Sequence, residues 1–128
     1  MDGKKVITVP NAPKLPFSPA IKAGGYIFVS GQVGFMDTQG KKVKEIEAQT
    51  ELCLENLKRV LAKAGVYMED VVNVTVFLRN ERDFSKMNKI YESYFREDEP
   101  VRSTIIAALA LPNILIEIDC IAYSGSPL

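Results

Sequence analysis

Two neighbouring runs near the end of the chain restrict its fold most. Residues 101–111 read VRSTIIAALAL and residues 114–123 read ILIEIDCIAY, with Pro112-Asn113 between them. Each has the length of a strand, and successive strand side chains point to opposite faces. Both runs are apolar on nearly both parities, the mark of strands covered on both sides. The rest of the chain offers only two helical patterns, and those helices can cover one face. The other face then needs a second copy of the same sheet, because an apolar face of this size left in water invites aggregation. A homo-oligomer is expected.

The remaining elements follow from changes of period. KKVITVP reads as a short edge strand ending at Pro10. Prolines 13, 16 and 19 make the next segment, through Gly25, an irregular stiffened loop that cannot be helical. YIFVSGQVG, residues 26–34, is a strand, and Gly24-Gly25 before it is a hairpin turn. Residues 35–44 hold a turn at 37–40 and a short strand around Val43. Ile46, Thr50, Cys53, Leu54, Leu57, Val60, Leu61 and Ala64 recur at spacings of three and four, an amphipathic helix stopped by Gly65. Residues 70–78 form a strand with Val72, Val74, Val76 and Leu78 on one parity, and residues 83–96 form a second helix with Phe84, Met87, Ile90, Tyr91, Tyr94 and Phe95 on its apolar side. The order β-β-(β)-α-β-α-β-β predicts an α+β domain, a mixed sheet with two helices on one face. The 128 residues make a single domain, 1–128, and Pro112-Asn113 reads as the tight link of a closing hairpin.

Composition excludes several classes of function. Sixteen basic and sixteen acidic residues leave no net charge, so the electrostatic basis for a nucleic-acid or anionic-membrane partner is missing. No run reaches a membrane span and the first residues do not read as a signal peptide, so a cytoplasmic protein with Cys53 and Cys120 reduced is expected. There is no histidine. Proton transfers therefore fall to Asp, Glu, Tyr, Lys, Cys, backbone or water, and Ser-His-Asp or Cys-His chemistry is out. Neither a metal nor a cofactor is expected, since no Gly-x-Gly-x-x-Gly or Walker loop occurs.

Against this apolar background Arg102 and Glu117 are the polar exceptions. A hairpin turning at Pro112-Asn113 would pair residues whose numbers sum to about 225, setting Arg102 near Tyr123 rather than Glu117. A buried charge still needs a partner, which another strand or subunit could supply. On the residues alone, structural pairing and a working site stand level. The planar fork of arginine suits a carboxylate, and a nearby glutamate can take a proton from water.

AIKAGGYIFVSGQVG, AQTELCLENLKRVLAKAG, DVVNVTVFLRNERDFSKMNKIYESYF, PVRST and ALPNILIEIDCIA stand in this order along residues 6–122. Together they resemble the RidA/YjgF family of reactive enamine/imine deaminases, whose older names are translation initiation inhibitors or endoribonucleases. The resemblance implies a chorismate-mutase-like α+β fold and a homotrimer whose sheets form a closed, barrel-like centre with the helices outside. It also implies sites in clefts between subunits. The implied reaction is cofactor-free hydrolysis of 2-imino acids, tautomers of 2-aminoacrylate or 2-aminocrotonate, to 2-oxo acids and ammonia. By the same resemblance Arg102 clamps the substrate carboxylate and Glu117 orients or activates water. Thr104 helps to seat water or substrate, Ser30 and Gly31 line the cleft, and Asn88 offers a polar contact near it.

The family's Tyr-Ser-Gln-Ala loop reads Phe17-Ser18-Pro19-Ala20 here. Phe17 can wall a substrate side chain but cannot donate a hydrogen bond, and Pro19 stiffens the loop. These departures motivate a second reading, a small-molecule-binding or regulatory trimer without turnover. RNA cleavage or translation inhibition, the older family description, has little physical support in a neutral chain with no histidine.

Overall fold

A computed structural model of the chain describes residues 3–125. The first helical stripe folds as α1 (Ile46–Lys63), which buries Ile46, Thr50, Cys53, Leu54, Leu57, Val60 and Leu61 along one side. It ends where Gly65 takes the left-handed conformation (φ 80°), open to glycine without a Cβ penalty. The second, α2 (Phe84–Tyr94), buries Met87 and Tyr91. Strands β1 (Lys4–Ile7), β2 (Ala20–Ala23), β3 (Tyr26–Gln32), β4 (Val71–Leu78), β5 (Val101–Ile106) and β6 (Ile116–Tyr123) make one sheet in the order β1-β2-β3-β6-β4-β5. β4 and β5 are parallel, and β6 runs antiparallel to both β3 and β4. The chain thus goes from β3 through α1 to β4 and through α2 to β5, then returns to lay β6 in the slot between β3 and β4. α1 lies against β3 and β6, and α2 packs on α1.

Register defines the two faces. Ile7, Ala20, Val29, Cys120, Val74 and Arg102 form one row across all six strands. This row belongs to the helix-covered face, where all but Arg102 are buried. The next row, Val6, Ile21, Phe28, Ile121, Asn73 and Val101, lies on the opposite face. The mixed sheet and its two helices agree with the expectation for an α+β chain.

The barrel-like centre does not. The sheet is open, with β1 at one end of the order and β5 at the other, and the two do not pair. Six strands, two of them only four residues long, do not curl far enough to meet. The homotrimer attached to that expectation has no counterpart in a structure of one chain.

The closing hairpin is also corrected. β5 ends at Ile106, and residues 107–115 pass over the end of β4 instead of turning tightly at Pro112-Asn113. Ala107 N donates to Leu78 O (2.9 Å), and Arg79 N donates to Leu115 O (3.0 Å). The Arg79 side chain straps the crossing, Nε to Ile114 O (2.8 Å) and Nη2 to Leu111 O (2.6 Å). Three smaller differences have local causes. β2 emerges from the proline-rich segment as soon as Pro19 is passed. Around Val43 there is only a Met36–Lys42 bridge. In β4 the register shifts between Val71 and Asn73, so Val71 is buried and Val72 exposed. Among the described residues no helix is long and apolar enough to cross a membrane.

Candidate active site

Glu117 lies at the centre of one polar group. β6 pairs it with Phe77 of β4, on the helix-free face. On its other side the register of β3 shifts between Val29 and Gln32, and Gly31 falls within this irregular stretch. A Cβ on Gly31 would overlap Glu117 Oε2 and lie 2.7 Å from Cδ and 3.0 Å from Cγ. The glycine is therefore a notch that accepts the carboxylate. Next to it Ser30 Oγ donates to Ser18 O (2.5 Å), and Ser30 N donates to Pro19 O (3.0 Å). These bonds tie the loop carrying Phe17 to β3, and Phe17 itself is 56 % exposed. Burial pushes the Glu117 carboxyl up, and the charge of Asp119, two residues along the same face, pushes it further. Burial also raises Asp119, against hydrogen bonds from Thr75, its cross-strand neighbour, that pull it down.

Arg102 belongs to a second group on the other face. Its Cζ lies 4.6 Å from the Tyr91 ring centre and 5.8 Å from that of Phe84, both on α2. Asn88 is on the same side of that helix, four residues after Phe84 and three before Tyr91. Thr104 follows Arg102 on the same parity of β5, in register with Val76. Two buried polar atoms in this group, Asn88 Oδ1 and Tyr91 Oη, have no hydrogen-bond partner. Burial raises the Tyr91 phenol to about 12, although the Arg102 charge and, less strongly, the nearness of its N–H donors pull it down; no formed hydrogen bond joins the two groups.

The structure thus sorts the expected residues into two sets, Ser30, Gly31 and Glu117 with Phe17 on the adjoining loop, and Arg102, Thr104 and Asn88. It does not bring the sets together. Arg102 and Glu117 are two strands and three residues apart, roughly 14 Å between backbones at ordinary strand spacings, and they point to opposite faces. The expectation that the two do not pair directly holds, though the hairpin from which it came does not exist. Sequence reasoning did not single out Tyr91, Phe84, Asp119 or Thr75 for the site. The first two stand in the sequence only as members of the apolar side of the second helix.

Similarity to known proteins bears on both groups. Residues 9–124 match the family described as Endoribonuclease L-PSP. A RutC family protein of Pyrococcus horikoshii is 44 % identical over 123 residues, covering 94 % of this chain and 98 % of the relative. The chain belongs to the RidA/YjgF family. A protein of Dermatophagoides farinae named 2-iminobutanoate/2-iminopropanoate deaminase is 33 % identical, with 94 % of this chain and 97 % of the relative covered. Among solved structures the chain is similar to Escherichia coli TdcF with bound serine, at TM-score 0.83 and 30 % identity, covering 93 % and 98 % of the two chains. Family membership accounts for the shared fold. The two groups of residues above are properties of this chain.

Proposed function

We propose that this member of the family hydrolyses short-lived 2-imino acids, and their enamine tautomers derived from 2-aminoacrylate or 2-aminocrotonate, to 2-oxo acids and ammonia without a cofactor. The observation that carries the reading is the Glu117 carboxylate, raised in proton affinity and seated against the Gly31 notch. The deaminase named among its relatives and the small amino acid bound by TdcF point the same way.

Arg102 supplies the anchor. Its in-plane N–H groups hold the substrate carboxylate by two parallel charge-assisted hydrogen bonds, leaving the C=N carbon exposed. Glu117 takes a proton from a water molecule as the water oxygen bonds to that carbon. That proton passes to the imine nitrogen, giving a carbinolamine. The carboxylate then carries the hydroxyl proton to the same nitrogen, and as the C=O bond forms the C–N bond breaks and ammonia leaves. Thr104, Ser30 and Asn88 provide polar contacts, and Phe17 walls the substrate side chain. Because Arg102 and Glu117 face opposite sides of one sheet, a substrate touching both takes the arginine from one copy and the glutamate from another. The apolar helix-free face supports such association, and three copies is the number that the resemblance implies. The unpaired thiols suit a reducing, cytoplasmic setting.

The test is a serine or threonine dehydratase reaction run in semicarbazide, which captures the imine. Addition of the protein should divert the imine to free 2-oxo acid and ammonia. An active dehydratase whose product is captured equally with and without the protein overturns the proposal.

A second reading is favoured by Phe17, which offers no hydrogen-bond donor where the family loop has tyrosine. In it the same site binds a small carboxylate and regulates instead of hydrolysing. Equal behaviour of wild type and Glu117→Gln supports binding, whereas hydrolysis requires a large loss.

A further inference from the structure

Arg102 raises a question that its proposed role does not answer: what holds a guanidinium in place without occupying its donors? Among the described residues the guanidinium of Arg102 lies against the rings of Phe84 and Tyr91, and no carboxylate pairs with it. An ionic partner would fix the side chain but would use the in-plane N–H groups that a substrate needs. An aromatic ring engages the guanidinium's face and leaves its edge free.

The two rings are not equivalent. Phe84 is farther away and 42 % exposed. Tyr91 is nearer and only 6 % exposed. It is braced by the buried Phe95, with ring centres 4.7 Å apart and planes inclined by 40°. A ring held by the core can orient a charge placed against it.

We propose that Tyr91 is the positioning residue for Arg102, a rigid aromatic platform that sets the plane of the guanidinium and leaves its fork open to a carboxylate. The inference deepens the proposed function and rests on it for the identity of the anion. Burial keeps the phenol neutral at physiological pH, so Tyr91 does not become a competing anion. The work is done by the ring face, and phenylalanine can replace it.

The test uses the full chain and two readouts. The first is the side-chain Nε–H resonance of Arg102, assigned by its loss in Arg102→Lys. Stacking on Tyr91 shifts it upfield in wild type and in Tyr91→Phe, and Tyr91→Leu abolishes most of that shift. The second is calorimetric binding of pyruvate as a stable carboxylate. Tyr91→Phe should bind within about twofold of wild type, and Tyr91→Leu roughly tenfold more weakly, the weight of a partly desolvated cation–π contact. In an Arg102→Ala background, Tyr91→Leu should add no further loss.

A wild-type Arg102 resonance without ring shift overturns the inference, even if Tyr91→Leu fails to fold. So does undiminished binding by a folded Tyr91→Leu, or a penalty of equal size in the Arg102→Ala background. A ring-shifted Arg102 in a wild-type protein that does not bind pyruvate supports the platform and counts against the proposed function.

Discussion

A half-buried glutamate next to an aspartate is held at a cost to the fold. Burial and Asp119 raise the folded-state pKa of Glu117 above its ordinary value of 4.5. The proton-bound carboxyl is thus favoured in the folded state, and the stability it contributes is complete below the unfolded value. That contribution disappears as pH rises through the folded value, so at pH 7 the carboxylate works against folding. Glu117→Gln should melt roughly 1–4 °C above wild type at pH 7, an effect reduced by solvent screening, and the gap should narrow toward pH 4. The same substitution should lower turnover by at least about 100-fold if Glu117 handles the proton. Scanning calorimetry across pH and the semicarbazide assay check the two halves. Gly31→Ala makes a geometric test of the notch, because the new Cβ would occupy space now taken by the carboxylate. The far end of a glutamate can move, so the fold should persist while turnover falls by roughly 10- to 100-fold from misplacement of the group. A circular-dichroism spectrum like that of wild type together with the lost rate is the expected result. Of this site, Arg102 and Glu117 were legible as charges in apolar strands. The notch was not, because a glycine's value depends on which side chain lies against it. Tyr91 looked like any other member of an apolar helical stripe, since the pattern carries no sign that a cation sits on the ring.

At the scale of elements, Gln49 joins three parts of the chain. It is 1 % exposed on the buried side of α1. Its Nε2 donates to Val43 O (2.8 Å) and Asn113 O (3.0 Å), and its Oε1 accepts from Leu115 N (2.8 Å). These bonds fix the segment before α1 and the crossing that leads into β6, hence the approach to Glu117. Gln49→Leu would leave three backbone groups without that partner and should cost about 3 kcal/mol. Urea unfolding should show a lower midpoint with an unchanged slope. Both helices and the strands β3, β4 and β6 were legible, since each has ten or so residues of clear period or an unbroken apolar run. What the pattern could not supply was pairing. Residues 101–123 read naturally as a hairpin, because proximity in sequence is the only guide to neighbours when no alignment of strands is known. The parallel β4–β5 pair, formed across α2, leaves the place beside β4 for β6, and nothing in the composition of β6 records which slot it fills. β2 was hidden for another reason: its four residues follow a proline-rich segment whose stiffness dominated the local reading.

For the whole molecule, the helix-free face is the feature that a single chain leaves uncovered. Val6, Tyr26, Phe28, Val101, Ile105 and Tyr123 lie there, each between 43 % and 69 % exposed. If copies associate through this face, Phe28→Glu places a charge in the middle of the apolar row and should release folded single chains, seen as a lower mass in sedimentation. Those chains should lose turnover although Arg102 and Glu117 are both present, because each would then have only its own half of the site. The separation of the halves allows a stricter test. Arg102→Ala keeps a working glutamate half, and Glu117→Gln keeps a working arginine half. Either variant alone should be inactive. Dissociated, mixed in equal amounts and reassembled, they should form some sites whose arginine and glutamate both come from the intact side. If each site draws one half from each of two neighbouring copies, random mixing makes about one site in four complete. Recovery of roughly one-quarter of the wild-type rate is therefore expected. A mixture as inactive as its parents, with mixed assemblies confirmed by mass, would show that Arg102 and Glu117 do not meet across two chains.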